Sequence, residues 1–328
     1  MRLSAIIAWL LGVGLLGTLV ALNHPARVLG AVGALGFWLA LVILFHAVPL
    51  LVDAVAWQRL FLAPPPLAAL CRIRWIAEGV NGLFPVPHLG ELLRANLARR
   101  IARPGEAGAS VVVDMTLGVA TQVLFAALGL VLLGLLAGGD GLLQGLLIAV
   151  AVLTAAAAAF YFLQRAGLFA LAAALARRWS APARRRLAME DARALDDRVR
   201  ALYGRRAALL ASALWRFAGW LAGAGETWLI LYGLGHPIGF GAAVMLESLS
   251  QAARTAAFAI PGGLGVQDGA LLLLSTQLGL GAETGLALSL TKRCRELALG
   301  APALFAGYVI EARRLAAAEP WPGAPPPA

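Results

Sequence analysis

Eight apolar runs dictate what this chain can become, at about residues 3–22, 28–52, 109–137, 142–164, 207–234, 237–259, 264–281 and 284–310. A helix needs roughly 20 residues to cross a hydrocarbon layer, and each run reaches or nearly reaches that length, the seventh being the shortest. Lipid offers nothing to hydrogen-bond an open strand edge, and the runs do not alternate as barrel strands do, so the spans have to be helices. The expected fold is all-α, a polytopic transmembrane helical bundle of about eight spans with broken or re-entrant elements. A hydrophobic share of 61%, a charged share of 13% and a mean hydropathy of +0.81 exclude an ordinary water-soluble domain.

The net charge of +10 rests on 26 arginines and a single lysine. These do not form one basic face, as nucleic-acid binding would need; they cluster between the apolar runs, which is how positive-inside signals look. Seven arginines fall in residues 53–108 and eleven in 165–206, whereas the links around 138–141 and 235–237 carry none. With both rich segments inside, eight crossings bring Arg313 and Arg314 inside too, so both termini are expected to be cytoplasmic in a bacterial inner membrane. The first run is too long for a signal-peptide core and lacks a small-x-small cleavage site, so it reads as an uncleaved span. Residues 1–316 form the expected membrane domain, and the proline-rich 317–328 a loose cytoplasmic tail. The segment 182–206, with Leu187, Leu195, Val199 and Leu202 among arginines and acids, reads equally as a helix on the membrane surface or as a solvated connector.

Two segments interrupt the pattern. Residues 75–93 carry Pro85 and Pro87, which lack backbone donors, and Gly79, Gly82 and Gly90, which allow close backbone approach. They read as a re-entrant element or as a buried cytoplasmic cap. The second break, Pro261, Gly262, Gly263 and Gly265 followed by Asp268, is expected to end one helix inside the protein body. A proline-and-glycine break near an acid in each half is also what repeated transporter halves show, although the two breaks share little sequence.

Ionisable residues inside apolar runs are the strongest functional signal, because a charge at mid-bilayer costs about 2.5–3.5 kcal/mol on insertion scales. Glu226 follows Arg216 in one run; Glu247 and Arg254 share a helix face, with Gln251 between them; Lys292, Arg293, Arg295 and Glu296 interrupt the last, where Lys292 and Glu296 stand one turn apart and can pair. Pairing between helices and a polar path for a charged or zwitterionic substrate both account for them. No catalytic constellation competes. His24, His46, His88 and His236 are scattered without a metal-ligand pattern, Cys71 and Cys294 form no knuckle or redox pair, and no metal or cofactor is expected.

The stretch from Glu78 and Asn81 through Pro87, Gly90, Glu91 and Arg94, with Glu247, Gln251, Arg254 and the Pro261–Asp268 break, resembles the lysylphosphatidylglycerol synthase transmembrane, or flippase-like, family. Through Lys292, Arg295 and Glu296 it is most similar to hopanoid-biosynthesis-associated members, over about residues 28–310. Asp268 stands where the family motif often has glutamate. The resemblance implies a bacterial inner-membrane protein that translocates lipids; the synthase activity of bifunctional relatives is not carried over, since eighteen residues follow Ile310. Its expected site comprises Glu247, Gln251, Arg254, Asp268, Arg295 and Glu296, with membrane lipids, anionic phospholipids or hopanoids as partners. A scaffold for lipid-synthesis enzymes is the alternative, and an ion-coupled carrier of a small solute or an enzyme stands behind it.

Overall fold

The structure, a computed structural model, describes residues 3–84, 88–103, 105–136, 140–168, 182–257, 260 and 263–317. Within these residues the chain is helical throughout, with no strand, as apolar runs of this length require. The interruptions begin early: α1 (Leu3–Leu22) and α2 (Pro25–Ala34) meet at a bend of 99°. Run 28–52 is not one span, because Gly36, at φ +47, separates α2 from α3 (Phe37–Phe45), which continues through His46 into α4 (Ala47–Gln58). Three helical segments are long and apolar enough to cross a membrane, Phe37–Gln58, α7 (Glu106–Leu136) and α10 (Arg206–Gly233), or four if the bent α1–α2 pair counts as one span.

Between α4 and α7 the chain forms a helical hairpin, α5 (Leu67–Leu83) and α6 (Leu89–Ala98), which pack on each other. Pro85 and Pro87 lie outside the described residues, but the reason the two arms meet is visible at Gly90. Its amide donates to Asn81 Oδ1 at 2.8 Å, and a Cβ there would lie 2.1 Å from the Ala77 carbonyl oxygen. Gly90→Ala is therefore expected to cost about 1–3 kcal/mol, the usual penalty of overpacking a closed contact. Gly82→Ala, where a Cβ meets nothing within 4 Å, should cost nothing. Unfolding of the two variants in detergent micelles checks this, and equal stabilities would reject the close contact.

After α8 (Asp140–Ala166), helix α9 (Pro182–Tyr203) runs back onto α7 and α8. Val199 and Leu202 are buried with Trp57, Phe61, Ile73 and Val113, and Leu195 packs against the same cluster. Leu195, Val199 and Leu202 thus form a docking face onto α7. The chain then passes through α10 into α11 (Phe240–Ala256), α12 (Val266–Gln277) and α13 (Ala282–Ala317). At 17 and 12 residues, α11 and α12 rise only about 26 and 18 Å, short of a bilayer crossing at ~1.5 Å per residue. The helix break therefore falls within a packed body: α12 lies against α11 and α13, and α13 against α5. Pro261 and Gly262 lie outside the described residues, while Gly263 and Gly265 take positive φ of 61° and 78°, which glycine adopts without strain.

Candidate functional site

Charges that the apolar runs bury are gathered into two groups. The first is a hub built on Asp114, which α7 holds fully buried. Three arginines from three helices converge on its Oδ2: Arg74 Nη1 of α5 at 3.1 Å, Arg94 Nη2 of α6 at 2.7 Å and Arg216 Nη2 of α10 at 2.5 Å. Asp53 of α4 takes second contacts from Arg74 at 2.7 Å and Arg216 at 2.8 Å, and Glu91 lies 3.1 Å from Arg94 Nε. Three carboxylates thus balance three guanidiniums, which is the condition for burying so many ions together. The α10 backbone comes close enough at Gly219 that a Cβ would sit 2.6 Å from Asp53 Oδ1.

The second group is a network centred on α13. Glu247 of α11 accepts hydrogen bonds from Lys292 Nζ at 2.5 Å, Thr227 at 2.5 Å and Gln251 at 2.9 Å. Arg254 donates to Glu296 at 2.9 Å and reaches Gln267 at 3.4 Å. Arg293 bridges Glu296, at 2.9 Å, to Asp268, at 3.3 Å. At the other end His46, in the joint between α3 and α4, faces two carboxylates: Glu226 at 2.7 Å from Nδ1 and Glu78 at 2.8 Å from Nε2. Arg295 completes the group, its Nε 3.3 Å from Glu226 and its Nη2 3.8 Å from Glu296.

Both groups open onto one cavity of about 290 Å³, walled by α4, α5, α6, α10, α11 and α13 together with His46. Its lining carries six carboxylates and six Lys or Arg side chains, with the imidazole of His46 in addition. Such a wall offers cationic and anionic partners within one chamber, so it can hold a group bearing charges of both signs without stranding either.

Of the residues expected from the sequence, Glu247, Gln251, Arg254, Arg295 and Glu296 line this cavity. Asp268 does not: it is fully buried, caps the start of α12 by accepting from the Gly265 amide at 2.6 Å, and accepts from the Ser289 hydroxyl. The expected Lys292–Glu296 pair does not form either. Lys292 turns to Glu247, and Glu296 is taken by Arg254 and Arg293, because facing helices offer each charge a partner that one turn of its own helix does not. Glu247 and Arg254 share the cavity wall, each held by its own partner on α13.

From the sequence, Asp114 and Asp53 do not stand out, His46 counts only as one of four scattered histidines, and Glu78 enters only through the family-like stretch. Asp114 and His46 stand inside apolar runs, so the rule that singled out Glu226 applies equally to them. Asp53 and Glu78 sit in the arginine-bearing connection, where charge is unremarkable until the hairpin folds inward.

Outside, the chain is apolar: Leu44, Leu124, Val131, Leu135, Leu214 and Phe305 are exposed. Charge within and hydrocarbon without define a multi-pass helical membrane protein with a polar interior. The sequence matches the family model of the lysylphosphatidylglycerol synthase TM region over residues 3–302, and the chain belongs to that family. No curated protein and no solved structure matches it.

Proposed function

We propose that this protein is a lipid transporter, a flippase that moves polar lipid headgroups between the leaflets of a bacterial inner membrane, in the service of hopanoid or phospholipid metabolism. The observation that carries the reading is the charge-lined cavity inside an apolar exterior. Its volume stands at the lower end of the roughly 300–1,000 Å³ of ligand sites, a size suited to a headgroup whose acyl chains remain in lipid. Glu247, Gln251, Arg254, Arg295 and Glu296 line the headgroup route, and Arg254 is the phosphate-binding candidate, since a guanidinium meets phosphate through two oriented donors. Asp268 supports the route from behind by tying the α12 start to Arg293. Anionic phospholipids or hopanoids are the proposed cargo, and a lipid-synthesis enzyme is the proposed partner.

In this reading about eight segments enter the bilayer, α11 and α12 as the two short arms of the break, and both termini are cytoplasmic, supported by the arginine clusters. Reporter fusions should signal cytoplasm at residues 185 and 320 and periplasm near 140; a periplasmic signal at 185 would reject it.

The transport test uses acyl-labelled phosphatidylglycerol in proteoliposomes. Wild-type protein should equilibrate the probe between leaflets, and Arg254→Gln should slow it about ten- to a hundredfold per folded protein, the worth of one charged hydrogen bond of ~1.5–3 kcal/mol. Glu296 keeps Arg293 in that variant, so the fold should survive. Wild-type vesicles that move no lipid would overturn the proposal.

A further inference from the structure

The charges of the α13 network do not balance without His46. Five carboxylates, Glu78, Glu226, Glu247, Asp268 and Glu296, meet four permanent cations, Arg254, Lys292, Arg293 and Arg295. The arginine hub beside it is already neutral by itself. Among the described residues, one positive charge is therefore missing where the buried Glu226 and the half-exposed Glu78 both turn to His46, and the imidazole is the group that can supply it by taking up one proton.

Geometry ties that proton to the rest of the site. Both ring nitrogens face carboxylate oxygens, and an ionised carboxylate only accepts, so occupation of both contacts requires a doubly protonated ring. Arg295 presses the other way: its Nη1, 2.5 Å from Nδ1 and 3.0 Å from Nε2, can donate only to a ring nitrogen that keeps its lone pair, so a proton on the ring displaces it. Ring and guanidinium also share Glu226, the ring through Oε2 and Arg295 through Oε1. A proton arriving on His46 strengthens the ring's hold on Glu226 and drives Arg295 toward Glu296, 3.8 Å away, which is the carboxylate that holds Arg254.

Among the described residues, the surrounding elements do not supply a substitute cation. On α5, Arg74 is committed to Asp53 and Asp114; on α13, Lys292 is committed to Glu247 of α11; and on α4, Asp53 belongs to the hub. Glu226 is the charge that α10 presents to the ring.

We propose that His46 is the binding site of a coupling proton, held between Glu78 and Glu226, and that its charge is felt at Arg254 through the shifting ion pairs of Arg295 and Glu296. Its role in driving lipid movement rests on the transport reading above, but the proton site itself does not. Uptake neutralises the network and loosens the Glu296–Arg254 pair, and release restores it, so the protonation state sets how strongly the cavity offers Arg254 to an anionic headgroup.

Two measurements test this. In nanodiscs, nitrogen-labelled histidine resonances report the ring directly, with His46→Gln identifying the signal. The His46 ring should change between singly and doubly protonated forms from mildly acidic to alkaline pH, and a ring that keeps one form throughout overturns the site. In vesicles of phosphatidylethanolamine and phosphatidylglycerol, an imposed pH gradient should shift the steady-state leaflet distribution of acyl-labelled phosphatidylglycerol by about tenfold per pH unit, for one proton per lipid. The shift should vanish in His46→Gln. Lipid that equilibrates with no shift in the wild type, or a shift that survives His46→Gln, overturns the coupling while leaving lipid transport standing. If no lipid moves at all, the transport reading fails and the ring titration alone decides the proton site.

Discussion

Asp114→Asn is expected to cost about 3–5 kcal/mol of stability, the penalty for removing one partner of a buried ion pair, and to leave little folded protein after extraction. The carboxylate is fully buried and receives guanidiniums from α5, α6 and α10. With asparagine there, Asp53 still holds Arg74 and Arg216 and Glu91 still holds Arg94, but three cations face two carboxylates in a low-dielectric interior. Restoring the balance should restore much of the fold. Arg94 is the partner to remove, because its guanidinium lies 4.6 Å from the centre of the Trp57 ring, where a methionine side chain packs well. The double variant Asp114→Asn/Arg94→Met should therefore be clearly more stable than Asp114→Asn alone. Unfolding in detergent, together with the monodisperse fraction on gel filtration, reads the difference. A single variant as stable as wild type would show that the hub does not organise the bundle.

Glu247→Gln is expected to lose a comparable ~3–5 kcal/mol, because it strands Lys292 inside the protein. Lys292 is 6% exposed and its ammonium lies 2.5 Å from Glu247. The pair clamps α11 to α13, so a loss of transport in the single variant would say nothing about substrate. The informative chain is Glu247→Gln/Lys292→Met, in which glutamine keeps an oxygen for Thr227 and methionine fills the lysine stem's space without a charge. Its stability should return most of the way to wild type, leaving a coupling energy between the two sites of roughly 2 kcal/mol or more in a double-mutant cycle. If the cavity's paired charges serve the headgroup, lipid translocation per folded protein should nevertheless stay at least about tenfold below wild type, since a contact worth ~1.4 kcal/mol is a factor of ten. Recovery of both stability and translocation would mark the pair as a clamp alone, and Arg254 would then be the residue left to carry the route.

The sequence by itself determined the class: runs of about 20 apolar residues can only be helices in lipid, and the charges within them had to meet partners or a polar cavity. It also placed Glu247, Gln251, Arg254, Arg295 and Glu296 as candidates, five residues that share one wall. Spacing along a helix could not reveal who pairs with whom. Lys292 and Glu296 are neighbours by turn, yet Lys292 finds Glu247 and Glu296 finds Arg254, because the stronger partner comes from the facing helix. Asp268 looked like part of the route and proves to be a buried cap, a distinction that depends on where α12 sits against α13. The hub at Asp114 and the ring at His46 were harder still to read. Each is assembled from helices far apart in the chain, Arg74 with Arg216 and His46 with Glu226 and Arg295, so its chemistry exists only once tertiary packing has brought opposite charges into one dry interior and made their balance matter.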